Sequence, residues 1–184
     1  MSTTSTNNEA AAEPLLSPDD VLVDKVKEVH RYYPTGVTIV TSEIDGEPFG
    51  LAVNAFSSLS LAPPLVLVCL GATTSSYPKF FLQDHMAINI LAHDQAEIAA
   101  RLGKSDPRKF ETVEWHLGQH GAPLLAGVSA TLELRVETRI PAYTHTIFIG
   151  RILHAERFDR LPLIYANRQF FDSTPLLGAR EGGQ

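Results

Sequence analysis

Only one cysteine, Cys69, occurs in 184 residues, so no internal disulfide staples the chain. A single thiol also rules out a thiolate metal cage, and the seven histidines never form an HExxH pair. Basic runs are missing as well. The formal net charge is -6 with acids scattered along the chain, which argues against a nucleic-acid surface. The longest apolar stretch, Pro63 to Leu70, is less than half of the about 20 residues that cross a bilayer. The opening "MSTTSTNNEAAAEPLLSP" has neither the basic nor the apolar region of a secretory signal, so a cytoplasmic protein that binds neither membrane nor nucleic acid is expected. No GxGxxG fingerprint occurs, which leaves any dinucleotide to be held by loops.

What is present is a 44% hydrophobic chain long enough for one substantial core. Residues 1–16 have little to bury and predict a disordered tail, residues 17–173 a single domain, and residues 174–184 a second flexible tail. Ser17 as N-cap, Pro18 at the first helical position and Leu22, Val26, Val29 and Tyr33 on one face predict a one-sided packing helix, stopped by Pro34. "GVTIVTS" and "FGLAVNAF" predict two strands joined by an Asp45-Gly46 hairpin turn. "PPLVLVCL" predicts a strand apolar on both faces, hence central or covered on both sides, in which Cys69 is a buried, inert thiol. A short helix over "SSYPKFFLQ", a strand over "HMAINIL" and a helix ended by Gly103 follow.

From Ser129 onward Ala130, Leu132, Leu134, Val136 and Ile140 alternate with Thr131, Glu133, Arg135, Glu137 and Arg139. That pattern predicts a long strand with one buried and one wet face, and "HTIFIGRILHAERF" supplies its antiparallel partner after "RIPAYT". Long antiparallel strands with only short helices between them point to a mostly β fold closed into a barrel, since closure removes exposed edges.

Two polar clusters interrupt this pattern. Asn54, Ser57, Ser58 and Ser60 lie between two strands, where their side chains are expected to gather at a barrel rim. "ATTSSYPK" runs into a helix start, where free amides, the Ser75 and Ser76 hydroxyls and Lys79 are expected to cradle a phosphate; taken alone, the segment is equally a plain serine cap.

"RYYPTGVTIVT", "GEPFGLAVNAFSSLSLAPPLVLVCL", "SSYPKF", "AINIL", "KFETVEW", "APLLAGVSATLELRV", "HTIFIGRI" and "PLIYANRQF", in this order over about residues 22–172, resemble the flavin reductase-like proteins. These are short-chain NAD(P)H:flavin oxidoreductases, the reductase components of two-component monooxygenases. The resemblance implies a split β-barrel of the FMN-binding type, antiparallel and Greek-key-like. It further implies FMN or FAD bound at a homodimer interface, NADH or NADPH as hydride donor, and a transient flavin-dependent monooxygenase partner. By the same resemblance Thr35, Gly36 and Val37, with Asn54, Ala55, Phe56, Ser57 and Ser58, line the isoalloxazine ring. Ser75 and Ser76, with Lys79 one turn on, match the phosphate position, Cys69 and Leu70 lie on the strand leading there, and Lys109 and Phe110 close over the flavin tail. Tyr165 joins the flavin-binding set, and His145 is the catalytic candidate on the nicotinamide side.

One departure from the family pattern stands out. Many such reductases carry Gly-Asp-His where this chain has Tyr143-Thr144-His145. The imidazole must then take its orientation from Tyr143, Thr144 or Tyr165, and a bulky Tyr143 is placed to cover the ring face. The alternative for His145 is a core histidine sharing a strand face with Ile147 and Ile149. Two other functions suit such a barrel: an oxidase or sensor that retains its flavin, and a dimeric barrel that binds haem or another non-flavin ligand.

Overall fold

The computed structural model describes residues 18–176, which fall into two compact units divided between Tyr33 and Pro34. In the first, α1 (Pro18–Arg31) is a helix with Asp19 and Asp20 in its first turn and His30 and Arg31 in its last, both favourable to the helix dipole. It ends before Tyr33, and Leu22, Val26 and Val29, expected to be packed, are 42–69% exposed. The expected cap Ser17 and tail 1–16 lie outside the described residues.

The second unit runs β1 (Thr35–Gly36), β2 (Thr38–Ile44), β3 (Glu47–Val53), β4 (Phe56–Leu61), β5 (Pro64–Gly71), α2 (Tyr77–Phe80), β6 (His85–Ile90), α3 (Ala96–Leu102), β7 (Trp115–Leu117), β8 (Pro123–Leu125), β9 (Ala130–Ala142), β10 (His145–Arg157), β11 (Ile164–Ala166) and β12 (Gln169–Phe171). A 3-10 turn over Thr174–Leu176 follows, held by Thr174 N–H donating to Asp172, so the expected C-terminal tail starts as ordered chain; the rest of it lies outside the described residues. Seven strands pair antiparallel in the order β3-β2-β6-β9-β10-β5-β4. Among the described residues the ladder does not close on itself, so the barrel is split, with β3 and β4 at its two ends.

Alternation along the strands sorts the side chains into layers. Val40, Leu51, Val53, Val66, Val68, Leu70, Met86, Ile88, Leu134 and Phe148 fill the inside of the curled sheet. Ile39 points the other way and packs with Leu91, Ala99, Leu102, Phe110 and Leu163 beneath α3. Asp45 and Gly46 form the β2–β3 turn with φ of 54° and 83°, the left-handed pair that a two-residue hairpin requires.

Three expectations change here. The serine segment does not lie between two strands: it forms β4, an edge strand paired only with β5, with Ser57 and Ser58 exposed. β5 is neither central nor covered on both faces: it lies one place from the edge, and only one face is fully buried. Val66, Val68 and Leu70 are buried, whereas Leu65, Leu67 and Cys69 are half-buried. The wet face of β9 is only partly wet. Thr131 and Glu133 are 2% and 1% exposed, and Ile140 is 44% exposed. The β7–β8 hairpin covers the outer side of the first half, where Gln119 and His120 N–H donate to the two Glu133 oxygens at 3.1 and 2.7 Å. Beyond Arg135 the strand loses β6 and keeps only β10, so Ile140 projects into solvent.

The Glu133 carboxylate is held by two amides and lies 2.4 Å from where a Cβ on Gly118 would stand, so a side chain there would displace it. Removing the carboxylate strands two part-buried donors. Glu133→Ala is expected to lower stability by about 2 kcal/mol, read as a lower denaturant midpoint; an unchanged midpoint would show that the hairpin carries no such dependence.

Candidate active site

Two clefts are built against strand β3, one near its end and one near its start. The first, about 280 Å³, is lined by Val37, Ala52, Val53, Asn54, Ala99, Gly103, Tyr165 and Phe170. Its walls come from β3, the end of α3 and the β11–β12 hairpin, whose Tyr165 and Phe170 rings pack with centroids 5.3 Å apart. It is largely apolar. The second, about 260 Å³, is lined by Pro48, Phe49, Ser75, Ser76, Lys79, Ser105, Asp106, Pro107, Lys109 and Phe110. Pro48 of one cleft and Ala52 of the other are four residues apart on the same face of β3, roughly 13 Å along the strand, so the two clefts are neighbours on one element.

Five expected phosphate-end residues, Ser75, Ser76, Lys79, Lys109 and Phe110, therefore meet in one cleft although more than thirty positions separate some of them in sequence. Their chemistry differs from the expectation in two ways. α2 is a single turn, and two of its amides are already used, Tyr77 N–H donating to Thr74 O and Lys79 N–H to Ser76 O, each at 3.1 Å. The Ser76 hydroxyl, 6% exposed, donates to Gly50 O at 3.1 Å and is committed to the fold. What remains is cationic. Lys79 is exposed, with its ammonium 5.5 Å from the centre of the Phe49 ring. Lys109 is 7% exposed and donates to Leu102 O and Lys104 O, each at 3.1 Å, capping the end of α3. An ammonium has three donors, so one is left over in the cleft wall. Burial pushes the Lys109 ammonium below the ordinary lysine range, partly opposed by nearby Asp106.

The remaining expected residues are distributed less evenly. Val37, Asn54 and Tyr165 line the apolar cleft, and Thr35 and Gly36 pair with Tyr165 and Ile164 beside it. Thr35 Oγ1 is buried without a hydrogen-bond partner. Ala55, Phe56, Ser57, Ser58, Cys69 and Leu70 line neither cleft. Leu70 is fully buried in the core, so it offers a ligand no side chain. Burial pushes the Cys69 thiol up, as suits an inert sulfur.

His145 also stands apart from the clefts. It is exposed rather than a core histidine, pairs with Gly71, and its Nδ1 lies 2.9 Å from Thr144 Oγ1. The register Ile147↔Cys69 and Ile149↔Leu67↔Ser57 puts His145 at the end of a sheet face made of half-buried aliphatic residues. Tyr143, with φ 52°, occupies a left-handed turn position that glycine adopts without cost, and its ring stands in solvent, covering nothing within the chain.

The family model described as "Flavin reductase like domain" matches residues 29–174. The chain belongs to the flavin reductase-like family. It is 36% identical over 156 residues to the protein named "Probable flavin reductase" of Rhizobium meliloti, covering 84% of this chain and 50% of that one, so it spans half of that relative's length. Over 153 residues it is 36% identical to the reductase component of a Rhodococcus opacus 4-nitrophenol 4-monooxygenase/4-nitrocatechol 2-monooxygenase, covering 83% and 82%. Among solved structures, the Streptomyces globisporus C-1027 NADH:FAD oxidoreductase SgcE6 is similar with a TM-score of 0.76 at 34% identity, over 88% of this chain and 92% of that one.

Within this family member, the cleft residues that sequence reasoning missed are Ala52, Val53, Ala99, Gly103 and Phe170 in one cleft and Pro48, Phe49, Ser105, Asp106 and Pro107 in the other. Gly103 carried a signal, as the expected stop of α3, but nothing in its spacing placed it 3.8 Å, by its ideal Cβ, from the Ala52 methyl.

The buried lysine makes a testable contribution to stability. Its pKa is lowered on folding, so the folded chain holds that proton less tightly than the unfolded chain. Its contribution is constant below the folded value and grows more favourable as pH rises from there to the ordinary lysine value. The denaturant midpoint is therefore expected to climb more steeply with alkaline pH in the native chain than in Lys109→Met. Parallel profiles would contradict this.

Proposed function

We propose that the protein oxidises NADH or NADPH, passes the hydride to FMN or FAD, and releases the reduced flavin to a partner monooxygenase. The observation that carries this reading is the pair of adjoining clefts along β3, one apolar and one cationic, in a chain of the flavin reductase-like family. The named activities of the Rhodococcus and Streptomyces proteins support it.

The residues suit a flavin. When bound, that group supplies a ring able to accept a hydride and to give its electrons up again. Val37, Ala52, Val53 and Ala99 form an apolar wall that excludes water, and Asn54 adds an amide. The orphaned Thr35 hydroxyl lies two residues from Val37 and opposite Tyr165, and a ligand's polar edge would satisfy it. Ser75, Lys79 and the third donor of Lys109 suit a phosphate. His145 positions the nicotinamide, and catalysis consists mainly of holding two rings in register.

The expected result is NADH oxidation by the purified protein, with added FMN or FAD, well above a flavin-only control. No acceleration with either flavin would overturn the reading. A yellow protein that keeps its flavin and turns over no NADH would favour the oxidase or sensor instead.

A homodimer completes this reading. Leu65, Leu67, Cys69, Ile147 and Ile149 form an apolar sheet face left half open by the single chain, beside edge residues Leu59 and Leu61 at 48% and 87% exposure. A second copy covering that face would bring Ser57 and His145 into the interface. Sedimentation at micromolar concentration is expected to show a dimer; a monomer with normal flavin binding would contradict it.

A further inference from the structure

We propose that Thr144 is the positioning residue for His145: its hydroxyl holds the imidazole by Nδ1 and leaves Nε2 as the nitrogen presented to the nicotinamide. This rests on the placement of His145 on the nicotinamide side.

An exposed imidazole at a hairpin tip turns about two side-chain torsions, and orientation is what a positioning contact needs. Here the ring is held from one side. Thr144 Oγ1 is 2.9 Å from Nδ1, and the residue bearing it is itself anchored, because Ala72 N–H donates to Thr144 O at 2.9 Å. His145 pairs with both Gly71 and Ala142, and the next side chain, Thr146, is buried with its hydroxyl 2.6 Å from the Tyr77 hydroxyl. The Nε2 edge of the ring faces Gly71. A Cβ at position 71 would sit 3.6 Å from Nε2 and 3.8 Å from Cδ2, so glycine there leaves that edge uncovered.

The identity of the holding group matters. A carboxylate only accepts, and beside Nδ1 it would require a proton on that nitrogen. A hydroxyl can donate to Nδ1 instead, which puts the ring's own proton on Nε2. Nε2–H is then a fixed donor, suited to the carboxamide oxygen of a reduced nicotinamide. Thr144 touches neither substrate nor flavin in this scheme and acts through the imidazole alone.

The test is single-turnover reduction of flavin by NADH, with flavin affinity measured in parallel. Thr144→Val keeps shape and removes the hydroxyl; it is expected to slow reduction about tenfold, the scale of one lost contact, with flavin affinity unchanged. Thr144→Ser is expected to restore the native rate, and Thr144→Val added to His145→Ala to slow nothing further. Gly71→Ala sets a methyl against Nε2 and is expected to slow reduction with Thr144 intact. A native rate in Thr144→Val while His145→Ala is slow would overturn the proposal. So would a slow Thr144→Ser, lost flavin affinity in Thr144→Val, or a native rate in Gly71→Ala. A native rate in His145→Ala would instead remove the placement of His145 itself, and the proposal with it.

Discussion

The hydrogen bond from Ser76 Oγ to the Gly50 carbonyl, 3.1 Å long and buried, spans the gap that the split sheet leaves open. β3 is one end of the seven-stranded ladder, and β5, which leads into α2, lies next to the other end. The bond ties α2 to the middle of β3, and Phe80 of α2 packs edge-on against Phe49 of β3 and near Phe148 of β10, with centroids 4.9 and 6.4 Å away. Gly50 makes the arrangement possible. A Cβ there would fall 2.4 Å from Val40 O, so a side chain would push β3 off its neighbour. Because both clefts are built against β3, their shape follows from where this one strand end is held.

The same economy of polar contacts governs the outer layer. Asn89, fully buried, donates to Ile39 O and Thr41 Oγ1 and accepts from Leu125 N–H, which fastens β8 to the outside of the sheet. Glu133 does the corresponding work for the turn between β7 and β8. A buried polar side chain costs free energy unless its partners are in place, so each of these admits one docking of the hairpin. In the cationic cleft the balance is different. Lys109 has two carbonyls for three donors and a pKa lowered by burial, the state of a cation that an arriving anion would stabilise further. Lys79, exposed, is free to adjust.

Much of the fold was legible because strand periodicity and turn chemistry are local. The Asp45-Gly46 hairpin, the stop of α3 at Gly103 and the pairing of β9 with β10 all follow from neighbours in sequence. The errors share a cause. Alternation tells which side chains point together but not what covers each side, so β5 reads as central or covered on both sides and the outer face of β9 as wet. The polarity of Ser57 and Ser58 marks a break between strands as readily as a strand; on an edge strand with one open side it is compatible with pairing.

By itself, the sequence determined strands β2, β3, β5, β6, β9 and β10, the β2–β3 and β9–β10 hairpins, the family, and which residue types would be needed at a phosphate and at a hydride-transfer site, since each of these is carried by short-range pattern and motif order. Tertiary structure alone decided which of those residues meet. It brought Lys79 and Lys109 into one cleft, committed the Ser76 hydroxyl to Gly50, turned Leu70 into the core, and set Thr144 against His145 at an exposed hairpin tip. The physical reason is that a hydroxyl or an ammonium is available to a ligand only if the fold has not already used it, and that use depends on carbonyls supplied by strands and helices far away in the chain.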